Sequence, residues 1–343
     1  MPMPLSSGDV KSALPDAPRG VRVPYSATPS LHRRSGRLFL ALPIVPFLAL
    51  AAACSFDAPS PPTHGDQLPP ETVEVRRRLF EIGSDAPVVI EGLVAGNEDA
   101  EVIVLLTEAG WSASRFLEFM PRLVEAGYRA VALNPRGIDG SRGPLGDLTL
   151  HDFASDVAGV IGLLNRGPVY VLGHGHGNRV ARCLAADRPD LVSGLILLGA
   201  GGQVPGDAEA LEALSRLTQP GQADDERRAD LQMALFAPTS DAAQWLDLSL
   251  SAEVLRAQGG ADRVTPREEW LTGGNAPMLV IQGRHDRVAP PANGRWLRER
   301  FRERVQLVEL ANSGHALLPE EPGEIVEAIE RFTTGLERPP TND

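Results

Sequence analysis

The chain of 343 residues predicts an α/β fold: a doubly wound, mostly parallel sheet interrupted late in the sequence by a helical cap insertion. Three observations predict it. Short, wholly apolar runs such as Val102–Leu106 and Val169–Leu172 suit strands buried on both faces of a sheet. Those runs alternate with segments of helical period, as in a parallel sheet built through crossover helices. Between Gly201 and Asn275 the alternation stops, and Ala, Leu, Glu and Arg recur at helical spacing. That stretch reads as helices laid over the carboxyl edge of the sheet, with 73–338 as the domain and 203–275 as its cap.

Taken in order, β-like runs at Val75–Ile82 and Val88–Leu93 precede a central strand at Val102–Leu106. A helix is expected near Ser114–Ala126, a strand at Arg129–Leu133, a helix at Leu150–Leu164 and a strand at Val169–Leu172. A helix at His176–Ala186 and a strand at Leu195–Leu198 lead into the insertion, which Pro220-Gly221 breaks. The core resumes with strands at Met278–Gln282 and Val305–Leu310, a helix at Ala292–Phe301 between them, and a closing helix at Pro322–Leu336.

The residues ahead of this domain carry a separate signal. A basic stretch (His32, Arg33, Arg34, Arg37) precedes an apolar run from Leu38 to Ala53, the layout of a secretory signal. Pro43 and Pro46 interrupt the run, which is shorter than the roughly 20 apolar residues of a membrane-spanning helix. Ala51-Ala52-Ala53-Cys54 resembles the lipobox of bacterial lipoproteins, which implies cleavage of a leader at 1–53 and lipidation of Cys54. A plain signal peptide with an incidental Cys54 is the alternative. Residues 54–72 are Pro-rich and aperiodic, as in a stiff tether. The expected protein is exported and held on a membrane by a lipid anchor, with Cys183 as its remaining thiol and no internal disulfide. Six basic and two acidic residues leave with 1–53, taking the formal charge from −12 to −16. Such acidity argues against nucleic acid and anionic lipid surfaces as partners.

The chemistry centres on Val169-Tyr170-Val171-Leu172-Gly173-His174-Gly175-His176-Gly177, an apolar strand running into a G-x-G-x-G turn. Ahead of it in the chain, Asn134-Pro135-Arg136-Gly137-Ile138-Asp139-Gly140-Ser141 forms a second motif. Ile281-Gln282-Gly283-Arg284-His285-Asp286 and Asn312-Ser313-Gly314-His315, the latter followed by Pro319-Glu320-Glu321-Pro322, form a third and fourth. In their chain order and at this spacing, these motifs make 74–336 resemble the α/β-hydrolase superfamily, in which the turn at Gly173–Gly177 matches the nucleophile elbow G-x-S-x-G. The resemblance implies Asp286 as the triad acid that orients His315, and His315 as the general base. It leaves Gly175 at a vacant nucleophile position. Glycine adopts the positive φ of such an elbow freely, whereas other residues bear a cost on the order of 1 to 3 kcal/mol. No serine lies between Gly167 and Arg188 to take its place by a shift of register.

The oxyanion hole is expected to involve the backbone of His176 and the loop at Glu108, where Thr107-Glu108-Ala109-Gly110 replaces the usual His-Gly. A carboxylate turned inward there would oppose a developing oxyanion by roughly 4 kcal/mol at about 4 Å and an effective dielectric near 20. Glu108 is therefore expected to face solvent or to cap the following helix. The ring of His176 is expected to face solvent or the cap. His174, His176, His285 and His315 match no spacing of an established zinc motif, so no metal and no cofactor are expected.

Three readings stand open. The first is a degenerate hydrolase that binds a small apolar or ester-like molecule, or a partner. The second is an enzyme using His315 and Asp286 as a base dyad, as in lyase or cofactor-free oxygenase chemistry. The third is an ordinary ester hydrolase in which Gly175 is an accidental substitution.

Overall fold

A computed structural model of the chain describes residues 21–23, 73–83 and 87–337. The expected leader apart from 21–23, the whole of the expected tether and Cys54 lie outside the described residues. Among the described residues no helix is long and apolar enough to cross a membrane.

Among the described residues nine strands form one sheet: β1 (Val21–Val23), β2 (Val73–Ile82), β3 (Val88–Ala95), β4 (Val102–Leu106), β5 (Arg129–Leu133), β6 (Val169–His174), β7 (Val192–Leu198), β8 (Met278–Gly283) and β9 (Val305–Leu310). Their spatial order is β1-β2-β3-β5-β4-β6-β7-β8-β9. Strands β4 to β9 pair in parallel, whereas β1, β2 and β3 run antiparallel to their neighbours. The short β1, at 21–23, pairs with Val73–Val75 at the sheet edge.

The apolar runs are buried on both faces because alternate residues enter different layers. Val104, Val131 and Val171 pack with α2 (Leu150–Leu164) and α3 (His176–Asp187). Ile103, Ala130 and Leu172 pack on the opposite face with α1 (Met120–Glu125) and α9 (Pro322–Glu337). Helix α8 (Ala292–Arg300) joins the first layer through Leu297. Helix α2 starts where Thr149 and Asp152 cap each other's backbone, a capping box that satisfies two otherwise orphaned N–H groups.

Between β7 and β8 lie α4 (Ala208–Arg216), α5 (Asp224–Ala234), α6 (Ala252–Val264) and α7 (Arg267–Trp270). They bury a third cluster, with Leu231, Leu235, Phe236 and Trp245 packed around Trp111 and Ala316 of the core loops. The continuous helix expected at Ser114–Ala126 is instead a 3-10 turn at Ala113–Phe116 followed by α1. Pro121 explains the break: it has no N–H to continue a helical ladder, and it occupies the first turn of α1, where none is needed.

Candidate active site

The elbow is built by β6 running straight into α3. Gly175 sits at the junction with φ 51° and ψ −110°, left-handed backbone that glycine alone adopts without strain. Gly177 is required for a different reason, since a Cβ there would overlap the carbonyl oxygen of Leu106 on β4. The turn is therefore pressed against the neighbouring strand, and it aims residue 175 at the edge where the loops after β4, β8 and β9 converge.

Asp286, three residues past β8, is buried and accepts hydrogen bonds through Oδ1 from the N–H groups of Val288 (2.9 Å) and Ala289 (2.7 Å). Its Oδ2 accepts from Nδ1 of His315 at 2.8 Å. His315 follows β9 and is held by its backbone as well as its ring: Nε2 of His174 donates to its carbonyl at 2.7 Å. Burial, reinforced by the nearby His315, pushes the His174 imidazole down to about 4, so it is neutral at pH 7. The loop carrying His315 is braced by Glu320, whose Oε2 accepts from Gly314 N–H (2.7 Å) while Oε1 accepts from Ala237 N–H (2.8 Å) and Ser240 (2.7 Å) of the cap.

Glu108 overturns the expectation made for it. Its side chain turns inward and ends in the space that a side chain on residue 175 would fill. Oε2 accepts from Nε2 of His315 at 2.9 Å, and Oε1 accepts from the backbone N–H of His176 (2.8 Å) and Ala109 (2.5 Å). The carboxylate is stable there because three donors meet it and because residue 175 has no side chain. A Cβ built on Gly175 would overlap Glu108 Oε2. At the oxyanion hole expected at His176 and Glu108, the N–H groups of His176 and Ala109 both donate to the Glu108 carboxylate.

Ionisation follows from this packing. Burial would push the His315 imidazole down, but Asp286 and Glu108 on its two nitrogens outweigh that and raise it to about 10. Burial favours a neutral Glu108, yet the His315 hydrogen bond and charge, with the Ala109 N–H, hold its carboxyl far below the usual range. The resting site is thus a buried carboxylate–imidazolium–carboxylate chain, Glu108–His315–Asp286.

Above this chain lies a cavity of about 510 Å³, lined by the elbow, the loop after β7 and cap residues including Leu211, Leu214 and Asp262. The ring of His176 faces the cap, as expected in part, but it is buried: Nδ1 lies 3.4 Å from Asp262 on α6, and Phe153 packs edge-on against it. The oxyanion loop is fixed from the cap side too, because Gly110 N–H donates to Gln258 of α6 at 2.8 Å. His285 is exposed and takes no part in this cluster. The Asn134–Ser141 motif is structural, with Arg136 clamped in a two-point pair with Asp156 (2.6 and 2.8 Å). Ala109 and Glu320 were missed at the sequence level: a backbone N–H leaves no mark in composition, and Glu320 was noted only as part of the histidine loop.

The alpha/beta hydrolase fold family matches residues 101–322, and the chain belongs to it. Among curated relatives it is similar to rhodomycin D methylesterase DnrP of Streptomyces peucetius, 28% identical over 68% of this chain and 86% of that one. It is also similar to a 2-hydroxy-6-oxononadienedioate/2-hydroxy-6-oxononatrienedioate hydrolase of a Pseudomonas species, 27% identical over 57% of this chain and 75% of the relative. Among solved structures, the 2-hydroxy-6-oxo-6-phenylhexa-2,4-dienoate hydrolase of Rhodococcus sp. strain RHA1 superposes with a TM-score of 0.62. That match covers 77% of this chain and all of the other at 20% identity, which speaks to the fold alone.

Proposed function

We propose that this α/β-hydrolase has given up acyl transfer through a serine and works as a degenerate hydrolase, holding a small organic molecule in the cavity over Glu108. The observation that carries the reading is the fit between two departures. Glu108 occupies the nucleophile position and the oxyanion hole together, and it can do so only beside a glycine at 175. An ordinary esterase with an accidental Gly175 is opposed by the same contact, since a serine there would have to expel Glu108. The base dyad is opposed by the carboxylates of Asp286 and Glu108, which engage both ring nitrogens of His315 while Glu108 stays in place. The relatives named above act on a methyl ester and on dienedioates, which supports an ester-like or carboxylate-bearing ligand. Export and tethering through a lipid on Cys54 complete the proposal, on the strength of the leader sequence. A fluorophosphonate probe and short p-nitrophenyl esters test it: the unaltered chain stays unlabelled and inactive, and labelling or burst acylation would overturn it. For the tether, palmitate incorporation that is lost in Cys54→Ala supports the anchor, and incorporation that persists refutes it.

One observation favours a second reading. Oε1 of Glu108 rests on two N–H donors while the carboxylate borders the cavity, the posture of a carboxylate nucleophile. Toward a saturated carbon bearing a halide, Oε2 would form the C–O bond as the halide leaves with the bonding electrons. Alkylation removes the charge on Glu108, so His315 gives up its Nε2 proton to solvent. The neutral ring then takes a proton from the water that attacks Cδ, the oxyanion is held by the N–H groups of His176 and Ala109, and the Cδ–Oε2 bond breaks as the alcohol leaves with that proton. Incubation with an alkyl halide followed by peptide mass spectrometry decides between the readings: an alkyl adduct on Glu108 supports the second, and an unmodified peptide supports the first.

A further inference from the structure

Away from the elbow, on the flank where α2, α3 and α7 meet, His151, Cys183 and Asp187 bring an imidazole, a thiol and a carboxylate together, all three donor atoms within 4.8 Å of one another. Nothing in the chemistry above uses them. We propose that these three side chains form a binding site for a borderline-soft divalent cation, with zinc as the matching ion, and that Glu269 supports it from behind.

The geometry follows from the helices. Cys183 and Asp187 are four residues apart on α3 and so share one face, while His151, the second residue of α2, reaches across to them. The separations are 3.4 Å from Sγ to His151 Nδ1, 3.6 Å from Sγ to Asp187 Oδ2, and 2.7 Å from Nδ1 to Oδ2. A tetrahedral zinc with its usual bond lengths holds sulfur about 3.5 Å from nitrogen and oxygen ligands, and holds those two about 3.3 Å apart. Two of the three separations already match. The third opens by a small rotation of Asp187, whose side chain is about one-third exposed.

His151 has a carboxylate on each nitrogen, Asp187 on Nδ1 and Glu269 on Nε2 at 2.8 Å. Without a cation the ring needs a proton on both. With one, Glu269 keeps the Nε2 proton and fixes the tautomer whose Nδ1 lone pair faces the ion, the supporting arrangement common to metal-bound histidines. Binding releases the Nδ1 proton and the thiol proton. Burial and the adjoining carboxylates hold that thiol well above its usual range, a cost that a cation beside Sγ reverses. The thiolate selects against calcium and magnesium, which prefer oxygen ligands. The exposed side of His151 and Asp187 leaves a fourth position open to water. The His151–Glu269 hydrogen bond links the site to α7 of the cap, and α3, which carries Cys183 and Asp187, begins at the elbow.

The test uses the full chain, stripped with a chelator and titrated with zinc alone and with cobalt(II) alone. The expected result is one equivalent bound, a raised Tm with zinc, and a thiolate-to-cobalt charge-transfer band that disappears in Cys183→Ser. His151→Gln, at a partly exposed position that spares the core, lowers zinc affinity at least tenfold, and Glu269→Gln lowers it about 10- to 100-fold. Absence of saturable zinc binding, or a cobalt band retained in Cys183→Ser, overturns the proposal.

Discussion

Two histidines in this protein each lie between two carboxylates, and they differ mainly in burial. His315, between Asp286 and Glu108, is 1% exposed; the side chain of His151, between Asp187 and Glu269, is 37% exposed. Nearly identical hydrogen-bond lengths of 2.7 to 2.9 Å hold both rings. In the interior, where water screens little, the two anions lift His315 to about 10 and bind it into a closed chain. At the surface the same pairing raises His151 as well, but solvent competes for each partner, and the ring stays available for exchange with another cation. The lesson is that the same three groups make a lock when buried and a site when exposed.

Removing a partner from each histidine is the direct way to break this comparison. Asp286→Asn has the largest expected effect, a loss of about 3 to 5 kcal/mol in urea unfolding, because it removes the deeply buried anion of the His315 pair, whereas Glu108 borders the cavity. Glu108→Gln is milder, about 1.5 to 3 kcal/mol, since the amide oxygen still accepts from His176 and Ala109 while the charged bond to His315 is lost.

The pH dependence sharpens the contrast. His315 is raised in the folded state, so its contribution is complete below the unfolded value near 6.5 and is lost as pH rises through about 10. Glu108 is depressed, so its contribution is present above about 4.5 and lost as pH falls further. Stability therefore peaks between about pH 4.5 and 6.5 and declines toward pH 10. Glu108→Gln flattens the alkaline arm, which urea midpoints across that range measure, and NMR titration of His315 follows the same event. His151→Gln in the cation-free protein has the smallest effect, at most about 1 kcal/mol; a larger loss would mean that the surface pair is as tightly coupled as the buried one.

The frame of the molecule was legible in the sequence because its signals are local. Val102–Leu106 and Val169–Leu172 could only be central strands, and the acid and histidine loops follow their strands in order. Glu108 was not legible, because its orientation depends on a histidine 207 residues away and on the absence of a Cβ at position 175. Considered singly, an inward carboxylate in an oxyanion loop is unfavourable. Considered with Gly175, His315 and two N–H donors, it is the lowest-cost occupant of the space. The cluster of His151, Cys183 and Asp187 escaped for a similar reason: only the packing of α2 on α3 brings a helix start against a helix middle.

The central claim is that Gly175 and Glu108 form one coupled feature, and a double-mutant cycle for ester hydrolysis tests it most directly. Gly175→Ser, Glu108→Gly and the pair together would each be assayed with p-nitrophenyl acetate and a fluorophosphonate probe, alongside thermal melts. The account predicts that Gly175→Ser alone is destabilised and inactive, that Glu108→Gly alone is inactive, and that the double variant hydrolyses the ester and takes the label. Full stability and equal hydrolysis in Gly175→Ser alone would show that the serine and Glu108 do not compete for one space, and would contradict it.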